Sequence, residues 1–492
     1  MSTSPVLPGF HPDPSICRVG EDYFLVNSTF EYFPGVPVHR SRDLVEWEQI
    51  GNVLDRPEQL VTRAGIGGAS GGIYAPTLRH HDGLFWMVTT NLHEITRGHL
   101  LVHAADPAGP WSDPVYVPGL VGIDPDLAWD EAGLCRLTWS DVVRGGISQA
   151  VIDPHTGAVL SEVREIWRGT GGAHAEGPHL IRRGCWWYLV VAEGGTGPGH
   201  MVTVARSQSP DGPFEPHPDN PILTHRSTGA AVQSTGHADL VERADGTWAI
   251  VFLGTRPRGS FPRWHTNGRE TFLAGVEWRD DWPFVDEAAF DVHDTSRSFV
   301  DDFSGTTFHP RWIAPGVDPG SFTETAPDGA GLRLRRGRAV ASRAAENLLA
   351  VRVECQTWAA RVDAVGDVAL SVRMDDSHQA IVERESGVVR ARAVIGPVDQ
   401  VLASAEIADD VTLEIQSVQP DVERGAPRGP DLLRLGYRAH GELHVLAEFD
   451  GRYLSTEVAG GFTGRVVGVE ALADDVLVRR IEVEDLGWAG HA

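Results

Sequence analysis

The stretch DPSICRVGEDYFLVNST, residues 13–29, holds a short segment ending in Ile16, a polar turn (GED), and a run of aromatic and branched residues. That order reads as strand, tight hairpin, strand. It returns as APTLRHHDGLFWMVTTN from Ala75, DPDLAWDEAGLCRLTWSD from Asp124, EGPHLIRRGCWWYLVVAEGG from Glu176 and HADLVERADGTWAIVFLGT from His237. Each copy has its Ile or Leu (Ile16, Leu78, Leu127, Leu180, Leu240) and a turn containing glycine. An interval of about 50–60 residues accommodates a four-stranded blade, so five copies around one axis predict a five-bladed β-propeller. Strong helical periodicity is missing throughout, which leaves a long array of β-sandwiches as the alternative.

In a propeller, equivalent positions lie at similar depth around the axis. The openers Asp13, Ala75, Asp124, Glu176 and His237 are therefore expected there. Four stand three positions before their Ile or Leu, whereas Glu176 stands four before Leu180, which predicts a one-residue bulge or shift in that blade. Three carboxylates and a histidine would then meet in one pocket. Like charges at close range drive at least one pKa up, giving one protonated acid and one ionised base. Inverting glycoside hydrolysis needs that pair: an acid for the leaving oxygen and a base for water on the opposite face. Taken singly, each residue has a plainer reading. Asp-Pro is a common turn starter, Glu176 could be a surface glutamate, and a lone histidine is usually structural. Their coincidence at equivalent repeat positions favours function.

Composition narrows the partners. The net charge of −26, from 42 basic and 68 acidic residues, disfavours nucleic acid and anionic membrane and suits a neutral ligand. The 15 Trp read mainly as β-core, although aromatic faces also bind sugars. Cys17, Cys135, Cys185 and Cys355 show no CxxC spacing and read as reduced and buried. The start MSTSPVLPG lacks the basic and apolar regions of a secretion signal. No apolar run reaches membrane-spanning length. A cytoplasmic location is the expectation.

Several motifs carry a family resemblance. GFHPDPS (9–15), NSTFEYFPGVPVHRSRDLVEW (27–47), GGIYAPTLRHHDGLFW (71–86), GIDPDLAWDEAG (122–133), AEGPHLI (175–181), AEGGTGPGH (192–200), TGHADLVERADGTWAIVFLGTRP (235–257) and GRETFLAGVEW (268–278) resemble glycoside hydrolase family 43. The closest branch is that of the two-domain β-xylosidases, some of which also cleave α-L-arabinofuranosides. The resemblance implies a five-bladed propeller and inversion, with Asp13 as general base, Glu176 as general acid and Asp124 as the residue that tunes and orients the acid. It implies substrate contacts from Arg269, Phe30, Tyr74, Ala75, Thr196 and His237. His237 matches a histidine at the pocket base, where some members hold calcium or another ion on the axis. Calcium prefers several oxygen ligands, so no metal is expected to be required, and a structural axial calcium is left open. Tyr74 stands where the family usually has Trp, and Pro198-Gly199 replaces an aromatic–acid pair; both bear on which sugar is preferred.

A chain of 492 residues exceeds one core, since single cores stop growing at roughly 250–300 residues. After Pro283 the composition changes. FVDDFSGTTFHPRWIAPG (299–316) reads as a polar linker, and short alternating runs such as GLRLRRG, VALSVRMD and VTLEIQSV follow. Alternation of this kind reads as an antiparallel β-sandwich. The expected organisation is a propeller over 1–297 and a jelly-roll-like sandwich over 298–492. By resemblance, Phe462 in FTGRVVG reaches the far side of the pocket, walling it for exo-attack. The stretch ENLLAVRVECQTW (346–358) departs from the family pattern.

The expected activity is release of xylose from the non-reducing ends of β-1,4-xylo-oligosaccharides, with or without α-L-arabinofuranosidase activity. A predominantly arabinofuranose-specific enzyme, a retaining fructoside hydrolase and a non-catalytic carbohydrate-binding propeller are the rivals. Retention of all three carboxylates argues against the last. Homo-oligomer formation is left open.

Overall fold

The computed structural model describes residues 3–305, 308–326, 329–337, 347–407, 410–420 and 428–487. The outermost residues of both expected domains, and Glu346 of the departing stretch, lie outside these. Helix is confined among the described residues to one four-residue α-helix and three short 3-10 turns, and the other regular elements are β-strands.

Between Ser15 and Asp286 five four-stranded antiparallel sheets follow one another in chain order. Their first strands are Ser15–Val19, Thr77–His81, Ile123–Trp129, Glu176–Arg183 and Gln233–Glu242. Each touches the next, and the fifth touches the first, so the ring closes. The first hairpin of each sheet turns at a repeat glycine: Gly20, Gly83, Gly133, Gly184 and Gly246 have φ between 61° and 81°. A Cβ there would meet nothing within 4 Å, so backbone freedom rather than space explains the glycine.

The repeat Ile or Leu residues are all buried. Apolar residues pack between sheets: Phe24 and Val26 with Leu78 and Met87, Val88 with Leu137, Ala128 with Leu189, Val190 with Ile250, and Leu25 with Val251. The core is thus distributed around the ring, leaving the axis to polar side chains.

Beyond Phe299 an eight-stranded and a six-stranded sheet face each other across one core that includes Trp358, Leu370, Leu413 and Val469. The 299–316 stretch is not a free linker. Phe299–Asp301 already pairs with the last sandwich strand, and Ala314–Pro315 pairs with Tyr32–Phe33 of the first ring unit. Its polar residues serve edge strands and turns, where side-chain alternation is too short to register. Cys185 also departs from expectation: it is exposed in the hairpin after Gly184, while Cys17, Cys135 and Cys355 are buried, and all four are free thiols.

The two parts are bolted together by buried polar contacts. Arg373 of the sandwich pairs with Glu31 of the ring at 2.7 Å, and neither side chain is exposed. Gly65 N–H donates to the other Glu31 oxygen at 2.7 Å. Removing one partner of a buried pair costs about 3–5 kcal/mol because the other charge is stranded. Arg373→Ala should therefore lower unfolding stability by about 3–5 kcal/mol in denaturant titration. Arg434→Ala, which breaks the half-exposed pair with Glu448, should cost no more than about 1 kcal/mol. Equal small losses would show that the buried pair does not hold the two parts.

Candidate active site

At the axial end where the first strands begin, their lead-in residues leave regular β geometry. Asp13, Asp124, Gly177 and His237 have φ of 53°, 55°, 56° and 47°, each three positions before its repeat Ile or Leu. Left-handed backbone at a non-glycine residue is uncommon, and here it recurs at one repeat position. Register shifts follow it in three sheets, between Ile123 and Asp126, Glu176 and His179, and Gly236 and Asp239. These bulges re-aim side chains toward the axis.

The expected shift in the fourth unit is explained. Gly177, not Glu176, occupies the left-handed slot, because a Cβ there would lie 2.9–3.0 Å from the His237 ring. Ala75 breaks the pattern in the second unit. It is buried, has no left-handed backbone and does not line the pocket; its neighbour Tyr74 does.

A cavity of about 270 Å³ is lined by Asp13, Asp124, Glu176, His237, Arg269, Thr196, Phe30, Tyr74 and Phe462, and also by Ile123, His174 and Gly195. All the expected pocket residues except Ala75 are therefore together. His174 was not anticipated, although it stands two positions before Glu176 in AHAEGPH. Among the described residues no tryptophan lines the cavity; its aromatic wall is Phe30, Tyr74 and Phe462. The Phe30 and Phe462 ring centroids are 6.0 Å apart, and Tyr74 meets them edge-on at 5.6 and 6.0 Å. Phe462 N–H donates to Ser70 Oγ at 2.8 Å, fixing the sandwich loop over the ring. A larger cavity of about 540 Å³ adjoins and shares Thr196, Arg269 and Phe462.

The carboxylates differ in their surroundings. Asp13 Oδ1 accepts from Arg269 Nη1 at 3.0 Å, and Oδ2 accepts from Ser28 Oγ at 2.6 Å. His237 Nδ1 lies 3.5 Å from Oδ1. Burial pushes the Asp13 carboxyl up, but Arg269, His237 and the Ser28 hydroxyl outweigh it and hold it below the ordinary value. Arg269 Nη1 also donates to Thr196 Oγ1 at 2.9 Å, so its fork is fixed. Asp124 Oδ2 accepts from Gly177 N–H at 3.0 Å, yet burial and the nearby Glu176 and Asp13 charges drive its carboxyl well up. Burial and Asp13 push Glu176 up to about 7. Burial lowers the His237 imidazole to about 4, leaving it neutral near pH 7, and raises the Tyr74 phenol to about 12. The pocket therefore offers one ionised carboxylate and proton-holding partners across a small apolar-walled space, enough to activate water and deliver a proton at once.

A closed ring of four-stranded sheets around an acidic axial pocket, followed by a two-sheet sandwich, defines the class as a β-propeller protein with a C-terminal sandwich. Comparison identifies its family. Residues 2–283 match the family model for glycosyl hydrolases family 43, and residues 300–475 match the beta xylosidase C-terminal Concanavalin A-like domain. The chain belongs to glycosyl hydrolases family 43. A non-reducing end alpha-L-arabinofuranosidase of Bacteroides ovatus is 46% identical over 285 residues, covering 57% of this chain and 53% of that protein. A xylosidase/arabinosidase of Butyrivibrio fibrisolvens is 43% identical over 300 residues, covering 58% and 56%. These matches span about half the length of the curated relatives. Among solved structures, the GH43B protein of a Bacteroides ovatus xyloglucan PUL superposes with a TM-score of 0.87 at 33% identity, covering 98% of this chain and 99% of that one.

Infrared difference spectra between the protein and Glu176→Gln should show a protonated carboxyl band that disappears with a midpoint near pH 7. A midpoint in the ordinary carboxylate range would show that the pocket does not raise Glu176.

Proposed function

We propose that the protein is an inverting, exo-acting glycoside hydrolase that releases xylose from the non-reducing ends of β-1,4-xylo-oligosaccharides. The observation that carries this reading is the opposed tuning of two carboxyls in one cavity: Asp13 held low by Arg269 and Ser28, and Glu176 pushed up to about 7. Asp13 takes a proton from water as the oxygen attacks the anomeric carbon. Glu176 gives its proton to the departing glycosidic oxygen. Burial and the Asp13 charge keep Glu176 protonated, and Asp124 accepts from Gly177 N–H, which fixes the peptide next to the acid. A cavity of about 270 Å³, walled by Phe462, suits a single terminal sugar and so supports end-on attack. Arg269, held by Asp13 and Thr196, lines the same cavity, and a guanidinium is a donor suited to vicinal hydroxyls.

α-L-Arabinofuranosidase action is the second reading, favoured by the Bacteroides ovatus relative's name and identity. Turnover of xylobiose against aryl arabinofuranosides ranks the two. Five sheets closed in a ring support a five-bladed propeller, and the strand at Phe299–Asp301 supports a division at 297/298. Under this reading the enzyme needs no cofactor and acts in the cytoplasm on imported oligosaccharides.

Glu176→Ala should lose about 10²–10⁴-fold in rate on xylobiose, whose leaving group needs protonation, and far less on an aryl xyloside with an activated phenol. Equal losses would remove Glu176 from the acid role. In the parent enzyme, kcat/KM should rise with pH through a limb below the ordinary Asp value, as Asp13 ionises, and fall through about 7 as Glu176 loses its proton. Ser28→Ala should move only the acid limb, and upward.

A further inference from the structure

Beneath the pocket a second polar tier crosses the axis. Each pocket-facing opener has a partner two or three residues further along its own strand: Asp13 has Ser15, Asp124 has Asp126, Glu176 has His179, and His237 has Asp239. These four partners come from four different sheets, and the guanidinium of Arg79, from the remaining sheet, reaches all of them. Arg79 Nη1 donates to Asp239 Oδ2 at 2.7 Å and to Ser15 Oγ at 3.3 Å. Its Nη2 donates to Asp126 Oδ1 at 2.7 Å, to Asp239 Oδ1 at 3.3 Å and to His179 Nδ1 at 3.0 Å. The same His179 Nδ1 lies 3.3 Å from Asp126 Oδ1, so the imidazole, the guanidinium and both carboxylates form one cluster.

Both aspartates are fully buried. An unpaired buried carboxylate costs several kcal/mol, so the tier requires a cation. Calcium takes 6–8 oxygen ligands, and the oxygens here are already committed. Besides Arg79, Asp239 Oδ2 accepts from Ile16 N–H and Ser15 Oγ at 3.0 and 2.9 Å, and Asp126 Oδ2 accepts from Leu180 N–H at 2.8 Å. The histidines nearby, His179 in the tier and His237 lining the pocket, offer imidazole nitrogen rather than oxygen. The donor set does not fit an axial calcium.

We propose that Arg79 is the resident axial cation of this propeller, standing where a metal ion would otherwise be needed, and that by tying all five first strands together it is a positioning residue for Asp13 and Glu176. The positioning part rests on the proposed function; the axial assignment does not. Arg79 also lines an open cavity of about 380 Å³ at the far mouth of the ring, together with Ile16, Leu127, Leu180 and Leu240, so a small cation in solution can reach its place.

The test uses the full chain after chelation. Its melting temperature should be the same in calcium chloride as in sodium chloride of equal ionic strength; a calcium-specific rise would overturn the axial assignment. Arg79→Ala should lose on the order of 100-fold in kcat, the cost of misplacing catalytic groups, with KM held. Millimolar guanidinium should recover about tenfold of that loss, and sodium should recover none. A folded Arg79→Ala with full kcat, or one that guanidinium does not rescue, would overturn the positioning role. Should Arg79→Ala not fold, Arg79→Lys decides, because an ammonium cannot bridge both aspartates: kcat should fall with KM held, and unchanged kcat overturns the role. Melting needs no substrate, so a protein inert toward both xylosides and arabinofuranosides would refute the glycosidase reading and leave the axial assignment standing.

Discussion

The contact on which the site depends is the 3.0 Å pair between Arg269 and Asp13. Three carboxylates converge on one small cavity, and nothing in their mutual repulsion says which stays charged. Arg269 breaks the tie. It stabilises the ionised form of Asp13, with Ser28 as a second donor, and the retained charge then raises Glu176 and Asp124. One guanidinium thus decides which carboxyl stays ionised among residues that the repeat places at nearly equivalent positions. Because the same Nη1 also donates to Thr196, the tie is broken by a fixed group rather than by a mobile one.

The sandwich is part of the site and not an appendage. Phe462 closes the aromatic wall, and its backbone is anchored on Ser70 of the ring. Phe30, in the same wall, precedes Glu31, which pairs with Arg373 of the sandwich. Between them Gly72 must be glycine: a Cβ would come within 2.2 Å of the Phe30 carbonyl oxygen, at a φ of 88°. The wall is therefore set from both parts of the chain, and the cavity keeps its size only while they stay docked.

Much of this was legible in the sequence, because a propeller repeats its backbone problem in every unit. The glycine turns, the Ile or Leu positions and the openers Asp13, Asp124 and His237 all follow from that repetition. Glu176 was legible only as an irregularity, since the reason for its offset is the His237 ring lying against Gly177, a contact between distant segments. Ala75 fails as an opener for a related reason: its unit lacks the left-handed bulge and presents Tyr74 instead. Ser28 and His174 carry no motif that separates them from ordinary strand-end polar residues. The 299–316 stretch looked like a linker because its strands are two or three residues long, too short for alternation to show.

Arg79 was hidden differently. In APTLRHH it looks like any charged residue near a hairpin, one position past the repeat Leu. Its meaning appears only once Ser15, Asp126, His179 and Asp239 are seen to meet its guanidinium. A closed ring of strands leaves an axial channel, and apolar residues small enough to fill it would give the pocket above nothing polar to rest on. Just past the bulges that aim carboxylates into the pocket, the same segments present Ser15, Asp126, His179 and Asp239 to Arg79. Those groups need a central counter-charge with several donors in fixed directions. A guanidinium meets that need with one side chain and no exchangeable ligand, and so the pocket floor is as permanent as the fold that carries it.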